Sequence, residues 1–347
     1  MVQEGGSIMS IEYICSDYGM CGNIRINWPA QALQSIKENI TNSRKLLVTP
    51  DLEGVYLQRV AEQPLFDILN KLECKKVIDF DDMLFKLYNE SLPSYNHAAK
   101  EIDIEDTTKV LKDNLQYIDK LTVTTNFLKT AIEDNFNYNK IEVIPNMLPR
   151  WMFHFDRKKN IKKDITNPTI LYAGSSTHYS LNDTGDFSKP IIEFIHNNID
   201  KINFVIIGNI PFFFQDISDK IMNISYVNVL SYPNLLHSIN ADFIISPLKE
   251  NVFNKCKSNL KYLEACAVGS VLIASDFDDS PYKCIDERCK IGKYMTSKHI
   301  DKMFWELCNK ENYNEVLNKQ YDYINEMWLE NNLNKYQNLF SEKAVGI

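Results

Sequence analysis

A chain of 347 residues with 44% apolar and 24% charged residues has the composition of a soluble globular protein, long enough for two domains. Its formal net charge of −8 and pI near 5.4 argue against indiscriminate polyanion binding as its main task. No apolar run approaches the ~20 residues of a membrane-spanning helix, no basic-then-apolar secretory leader opens the chain, and eight cysteines without a C-x-x-C pair or a Cys/His zinc spacing read as thiols in a reducing cytoplasm.

Residues 1–8 carry no fold pattern. Short apolar runs then predict strands at Ile11–Ser16, Lys45–Val48, Lys76–Phe80, Lys120–Thr124 and Ile141–Ile144. Helical spacing predicts helices near Pro29–Asn39, Tyr56–Leu72, Thr107–Tyr117 and Asn126–Asn135. Pro145 to Pro168, with prolines at its ends and the run Arg157-Lys158-Lys159, reads as a linker. The alternation restarts with strands at Thr169–Ala173, Asn203–Ile207, Ile224–Val227, Phe243–Ser246 and Val271–Ala274. Helices follow near Lys189–Asn197, Tyr232–Ile239, Asn259–Val268 and Lys298–Asn309. Tyr321 to Phe340 reads as one amphipathic helix. Apolar strands alternating with helices imply α/β architecture with parallel sheets covered on both faces. The expected division is 9–155 and 165–320, two Rossmann-like doubly wound domains facing a central cleft, with 321–347 returning toward the first.

The stretch from Phe253 to Ala265 carries the clearest chemistry. It lies between two strand-like runs, so the helix behind Ser258, its expected N-cap, starts at the carboxyl end of a parallel strand. That is where open α/β sheets bind phosphates and nucleotides. Lys257 and Lys261 flank the start and Glu264 lies further in. Cations and amide N–H groups suit a diphosphate, and a carboxylate suits sugar hydroxyls.

Four segments together resemble the retaining glycosyltransferases of the GT-B fold, broad family 4, in bacterial and phage form. They are Gly19-Met20-Cys21-Gly22-Asn23-Ile24-Arg25 with Pro29, Val77 to Phe85 with its Asp81-Asp82 pair, Leu171 to His178, and Phe253 to Ala265. The resemblance covers about Tyr18 to Tyr282. It implies a nucleotide-diphosphate sugar as donor, bound by the second domain, and a hydroxyl acceptor shaped by the first. It implies that Glu264 holds the ribose and that no metal or other cofactor is required. The family's earlier glutamate, eight residues before, is Cys256 here, and its usual Arg/Lys pair after the first strand of the second domain is replaced by Gly174, Ser175 and His178.

On this reading Lys257, Ser258, Asn259, Leu260 and Lys261 receive the phosphates, with Gly174 and Ser175 at a close-approach turn. Gly22 and Asn23 approach the donor from across the cleft, and Arg25 pairs with a phosphate or with a carboxylate of its own domain. Asp81, Asp82 and His178 are the candidate catalytic groups, Asp81 being the preferred base. The Asp-x-Asp pattern of Asp79 and Asp81 is short, and no metal site is assigned to it. Tyr172, Phe212-Phe213-Phe214 and Tyr232 are candidates to stack a nucleobase, in the loop after Gly208. The acceptor expected first is a glycan or lipid-linked saccharide. A phage enzyme acting on hydroxymethylated cytosine in DNA is the alternative, with Arg150, Arg157, Lys158, Lys159, Lys162 and Lys163 as a basic strip for DNA or a membrane surface. A non-catalytic nucleotide-sugar-binding protein is the third reading. The lost glutamate motivates it.

Overall fold

The computed structural model describes residues 10–17, 19–36, 39–43, 45–46, 51–86, 104–153, 160–174 and 178–340. Residues 1–8, Ser175 and the run Arg157-Lys158-Lys159 lie outside the described residues. The chain forms two six-stranded sheets. The first contains β1 (Ser10–Ile14), β2 (Ile40–Ser43), β3 (Leu52–Gln58), β4 (Lys75–Phe80), β5 (Lys120–Val123) and β6 (Ile141–Val143), in the order β2-β1-β3-β4-β5-β6. The second contains β7 (Thr169–Ala173), β8 (Asn203–Ile207), β9 (Ile221–Ile224), β10 (Phe243–Ser246), β11 (Val271–Asp276) and β12 (Lys290–Gly292), in the order β12-β11-β10-β7-β8-β9. All paired strands are parallel. Central strands such as β10 (Phe-Ile-Ile-Ser) are buried along their whole length, which is why they read as unbroken apolar runs.

Three expectations are corrected. Residues Tyr56–Leu72 are not one helix: they divide into the end of β3 and helix Gln63–Leu69. β3 is central and buried on both faces, so it shows no alternation, and Gly54 within it is needed because a side chain there would strike the Phe340 ring. The second strand is Ile40–Ser43, while Lys45 and Leu46 lie beyond it and Leu47 and Val48 lie outside the described residues. The strand expected at Ile224–Val227 lies at Ile221–Ile224, which leaves Tyr226 and Val227 exposed.

The carboxy-terminal segment is also not continuous. Helix Lys310–Glu326 packs on the second sheet, where Gln320 accepts from Leu272 N (3.0 Å) and donates to Ser270 O (2.6 Å). The helix ends at Met327 because Trp328 forms a parallel bridge with Leu148. Two short helical turns then carry Tyr336 to within 6.3 Å of Tyr56 and Phe340 to within 6.5 Å of Tyr13, ring centre to ring centre.

The first sheet is built around a buried charge. Arg25, in a π-helical turn (Asn23–Asn27) that follows β1, is fully buried. Its Nη2 and Nε donate to Asp79 at the end of β4 (2.6 and 3.0 Å), and its Nη1 donates to Ile144 O (2.6 Å) and Asn146 Oδ1 (3.2 Å). Asp79 also accepts from Tyr56 OH (3.0 Å) and Thr122 Oγ1 (2.6 Å). Removing one member of such a pair strands the other charge in a dry interior. Arg25→Ala should therefore destabilise the fold by about 3–5 kcal/mol, measured by chemical denaturation; an unchanged midpoint would contradict this account of the core.

Candidate active site

In both sheets the strand order reverses at one point, between β1 and β3 and between β7 and β10. Ligands of open α/β sheets bind outside the carboxyl ends of the strands at such points. Here the two sets of carboxyl ends face one another across a cavity of about 450 Å³. Its first wall carries Asp17 and Cys21 after β1, Arg59 after β3, Asp81 and Asp82 after β4, and Asn146 after β6. Its second wall carries Gly174 and His178 after β7, Pro247 and Leu248 after β10, and Phe253, Lys257, Ser258, Leu260 and Lys261.

On the second wall, helix Val252–Cys256 is followed by two extended residues and helix Leu260–Val268. The N-cap of the latter is Asn259 rather than Ser258, and its side chain makes no capping bond. Asn259 Nδ2 donates instead to Tyr323 OH (2.8 Å). The first-turn N–H groups of Leu260 and Lys261 precede the first intrahelical acceptor, so they are available to an anion. Ser258 Oγ is used across the cleft, accepting from Asn146 Nδ2 (2.7 Å). Lys257 Nζ lies 4.8 Å from the centre of the Phe253 ring, at the cavity wall. Cys256 is fully buried, and with Phe253 it belongs to the core of the first half, alongside Leu128 and Ile132 of helix Asn126–Phe136. Its carbonyl accepts from Thr125 Oγ1 (3.3 Å). The position of the family's first glutamate thus points away from the cleft.

Glu264 lies one helical turn beyond Lys261. Its Oε2 accepts from Lys261 Nζ (2.8 Å) and Tyr232 OH (3.0 Å). Its Oε1 is buried without a hydrogen-bond partner. Glu264 lines a second cavity of about 520 Å³, which shares Ala173, Gly174, Leu260 and Lys261 with the first. Burial opposes the charge of Lys261, but Glu264 beside it holds the ammonium firmly protonated. The far side of this cavity is formed by Tyr226, Val227, Asn228 and Val229. The aromatic candidates therefore resolve differently from expectation. Phe213 and Phe214 pack inward against Phe187 (5.1 and 5.8 Å), as does Tyr172 (4.8 Å), and only Tyr232 reaches this cavity. The loop after Gly208 does not line it; Gly208, at φ 112°, instead makes room for the Tyr226 ring, whose OH donates to Gly174 O (3.2 Å).

His178 lines the main cavity, and its Nδ1 lies 2.8 Å from Asp186 Oδ2. Burial, then the nearby Lys257, holds the imidazole pKa below its ordinary value. Burial alone would raise the Asp186 carboxyl, but the bond from His178 holds it low. Asp186 was not foreseen from the sequence, and only its position eight residues after His178 could have signalled it.

On the first wall, Asp81 is gripped by Arg59, Nε to Oδ1 at 2.6 Å and Nη2 to Oδ2 at 2.8 Å. Against the effect of burial, this arginine holds the Asp81 carboxyl below its usual range, which makes it a weak proton acceptor. Asp82 differs: burial raises its pKa, opposed by Lys257 across the cavity, and only Oδ1 has a bond, from Met83 N (2.9 Å). Asp81, the expected base, is thus held in an ion pair with Arg59, whereas Asp82 on the same wall has no ion-pair partner among the described residues. Arg59 sits at φ 52°, just past β3, in a stretch whose spacing predicts helix and so gives no sign of a turn. Arg25 is enclosed by Asp79 and cannot meet a phosphate. Gly22 and Asn23 do not line either cavity: Gly22 packs on Asp17 O and Cys15, and Asn23 donates to Gly19 O (2.8 Å). Gly19 and Met20 reach the second cavity in their place. Asp79 and Asp81 are committed to separate arginines, and among the described residues no group of three or more His, Cys, Asp or Glu is placed to hold a metal ion.

Sequence comparison finds no matching family model and no matching curated protein. Solved structures do match. TarM superimposes with a TM-score of 0.58 at 13% identity, over 90% of this chain and 58% of TarM, so the chain spans less than two thirds of that protein. A glycosyltransferase from Rickettsia africae gives 0.57 at 14% identity, over 89% of this chain and 86% of its own. Anabaena HepE, solved with UDP and glucose, gives 0.55 at 9% identity, over 94% and 84%.

The chain has the GT-B fold.

Within that GT-B frame, the buried Cys256 has a direct consequence. Cys256→Glu would place a carboxylate among apolar side chains of the opposite half. It should lower the melting temperature markedly without tightening the binding of any nucleotide-sugar; a tighter-binding, equally stable variant would contradict the placement of Cys256.

Proposed function

We propose that the protein is a glycosyltransferase that moves a sugar from a nucleotide-diphosphate sugar to a hydroxyl acceptor. The observation that carries this reading is the buried, unpartnered Oε1 of Glu264, in the helix Leu260–Val268 whose open start lies in the adjoining cavity with Lys257. A buried carboxylate oxygen without a donor is costly unless a ligand hydroxyl completes it. A ribose in the second cavity supplies such hydroxyls, and the Tyr226–Val229 loop then faces the base. The diphosphate falls between Ala173-Gly174 and the helix start, at the lining shared by the two cavities, with the sugar in the main cavity. Anabaena HepE, which shares the fold, was solved with UDP and glucose, and this supports a nucleotide-sugar as the donor.

The transfer breaks the bond between the sugar's anomeric carbon and the terminal phosphate oxygen, and forms one to the acceptor oxygen. Negative charge grows on the departing diphosphate. Lys257 and the amides of Leu260 and Lys261 are already in place to receive it, so little reorganisation is needed at the moment of reaction. Asp82, across the cavity, orients the acceptor hydroxyl and draws on its proton. The segments 9–155 and 165–320 act as acceptor and donor domains. Retention of configuration and a glycan or lipid-linked saccharide as acceptor are part of the proposal and follow the family resemblance. No resident cofactor is assigned.

Incubation with a panel of nucleotide-sugars should release free nucleotide diphosphate and transfer sugar; tight binding with no turnover on any acceptor would favour a binding protein instead. Lys257→Ala and Glu264→Ala should each weaken nucleotide-sugar binding roughly 10- to 100-fold by calorimetry, the size of one charge-assisted hydrogen bond. Unchanged affinity in both would refute the donor placement. A raised pKa means that Asp82 keeps its proton to higher pH than an ordinary carboxyl near ~4. The rate kcat/KM should therefore fall on acidification through a limb above that value, and Asp82→Asn should lower the rate and abolish the limb. An identical pH profile in the variant would remove Asp82 from the mechanism.

A further inference from the structure

We infer that His178 reads a hydroxyl of the transferred sugar through its bare Nε2, with Asp186 as the positioning residue that fixes its tautomer. The inference rests on the donor-site reading above and identifies the sugar end of that site.

Asp186 is almost completely buried. Its Oδ2 faces His178 Nδ1 at 2.8 Å, and its Oδ1 accepts from Lys249 N (2.9 Å) and Asn254 Nδ2 (2.7 Å). Bonds on both oxygens hold the carboxylate in one orientation. An ionised carboxylate can only accept, so His178 Nδ1 must carry the proton that lies between them. The charged groups near the ring are Asp186 on one side and Lys257 and Lys261 on the other. The two ammonium groups and burial disfavour a second proton on the imidazole. Nε2 is then a lone-pair acceptor in the main cavity.

The tautomer selects the ligand group. Diphosphate oxygens near neutral pH are acceptors only and cannot pair with a bare nitrogen. A hydroxyl can. A nucleotide-sugar offers hydroxyls in two places, the ribose and the transferred sugar. The ribose is accounted for by Glu264, which lines the second cavity, whereas His178 lines only the first. The acceptor hydroxyl is assigned to Asp82 on the opposite wall, so the hydroxyl at Nε2 belongs to the sugar. The same chain segment explains why this acceptor is needed here. Cys256 has turned into the opposite core, and Asn254, two residues earlier, holds Asp186 in its place behind His178.

The first readout is taken on the wild-type protein, and a variant serves only to assign the resonance. Imidazole ¹⁵N resonances of the six histidines would be recorded, with His178 assigned by its loss in His178→Gln. The free protein should show His178 protonated at Nδ1 and bare at Nε2. Titration with UDP-glucose, UDP-N-acetylglucosamine and GDP-mannose should move the Nε2 resonance for those that bind, while UDP and GDP alone should leave it in place. An Nε2–H tautomer, or equal shifts with and without the sugar, would overturn the inference while leaving the donor site standing. Failure of every nucleotide and nucleotide-sugar to bind would instead overturn the donor reading, and this inference with it. A second measurement compares donors lacking one sugar hydroxyl. The wild type should discriminate against one of them about tenfold or more in kcat/KM, and His178→Gln should lose that discrimination. Asp186→Asn, whose amide can present an N–H to Nδ1 and so favour the other tautomer, should lose it as well. The same preference among donors in wild type and His178→Gln would sink the assignment.

Discussion

A buried guanidinium cannot give up its charge, so everything around Arg25 must supply acceptors. Asp79, Ile144 O and Asn146 do so, and they come from the carboxyl ends of β4 and β6. The demand of one side chain thus fixes the relative positions of the first helix, two strands and the residue that leaves β6. Asn146 is oriented by its carbonyl toward Arg25, and so its amide is presented to Ser258 on the other half. A continuous line of polar contacts runs from the centre of one sheet to Ser258, beside Lys257, in the other half. The ends of both sheets are set against each other by the same network that satisfies a buried cation.

The cavity that results is electrically divided. One wall bears Asp17, Asp81 and Asp82, with a single arginine neutralised by its own aspartate. The other bears Lys257 and Lys261, an uncapped helix start and a neutral imidazole. An anion that enters is drawn to the second wall and repelled from the first, which leaves the first for uncharged hydroxyl groups. This polarity is what the proposed transfer requires, with a charged leaving group on one side and a hydroxyl acceptor on the other.

Much of this was legible in the sequence, and the reasons for the rest are specific. The parallel strands β4, β7, β8 and β10 are apolar runs between turn residues, and they were visible because parallel sheets bury both faces. β3 was lost because its buried run is followed within a few residues by a genuine helix, whose start is marked by Pro64. Lys257, Lys261 and Glu264 stood out because a helix start, two cations and a carboxylate occur within eight residues. Arg25 could be read only as a cation near a glycine loop; nothing local distinguishes one that meets a phosphate from one that meets Asp79, 54 residues away. Asp81 and Asp82 are chemically identical in sequence, and only Arg59, held by a backbone turn, makes one an occupied ion-pair partner and leaves the other to the cavity. Asp186 and Tyr226 were missed because their importance lies in what they face.

Phe253 and Cys256 belong by chain position to one half and by packing to the other. The second half therefore completes the interior of the first, which is not a self-sufficient module. A second half exchanged for that of another GT-B protein would leave a hole in the first unless these two residues travelled with it.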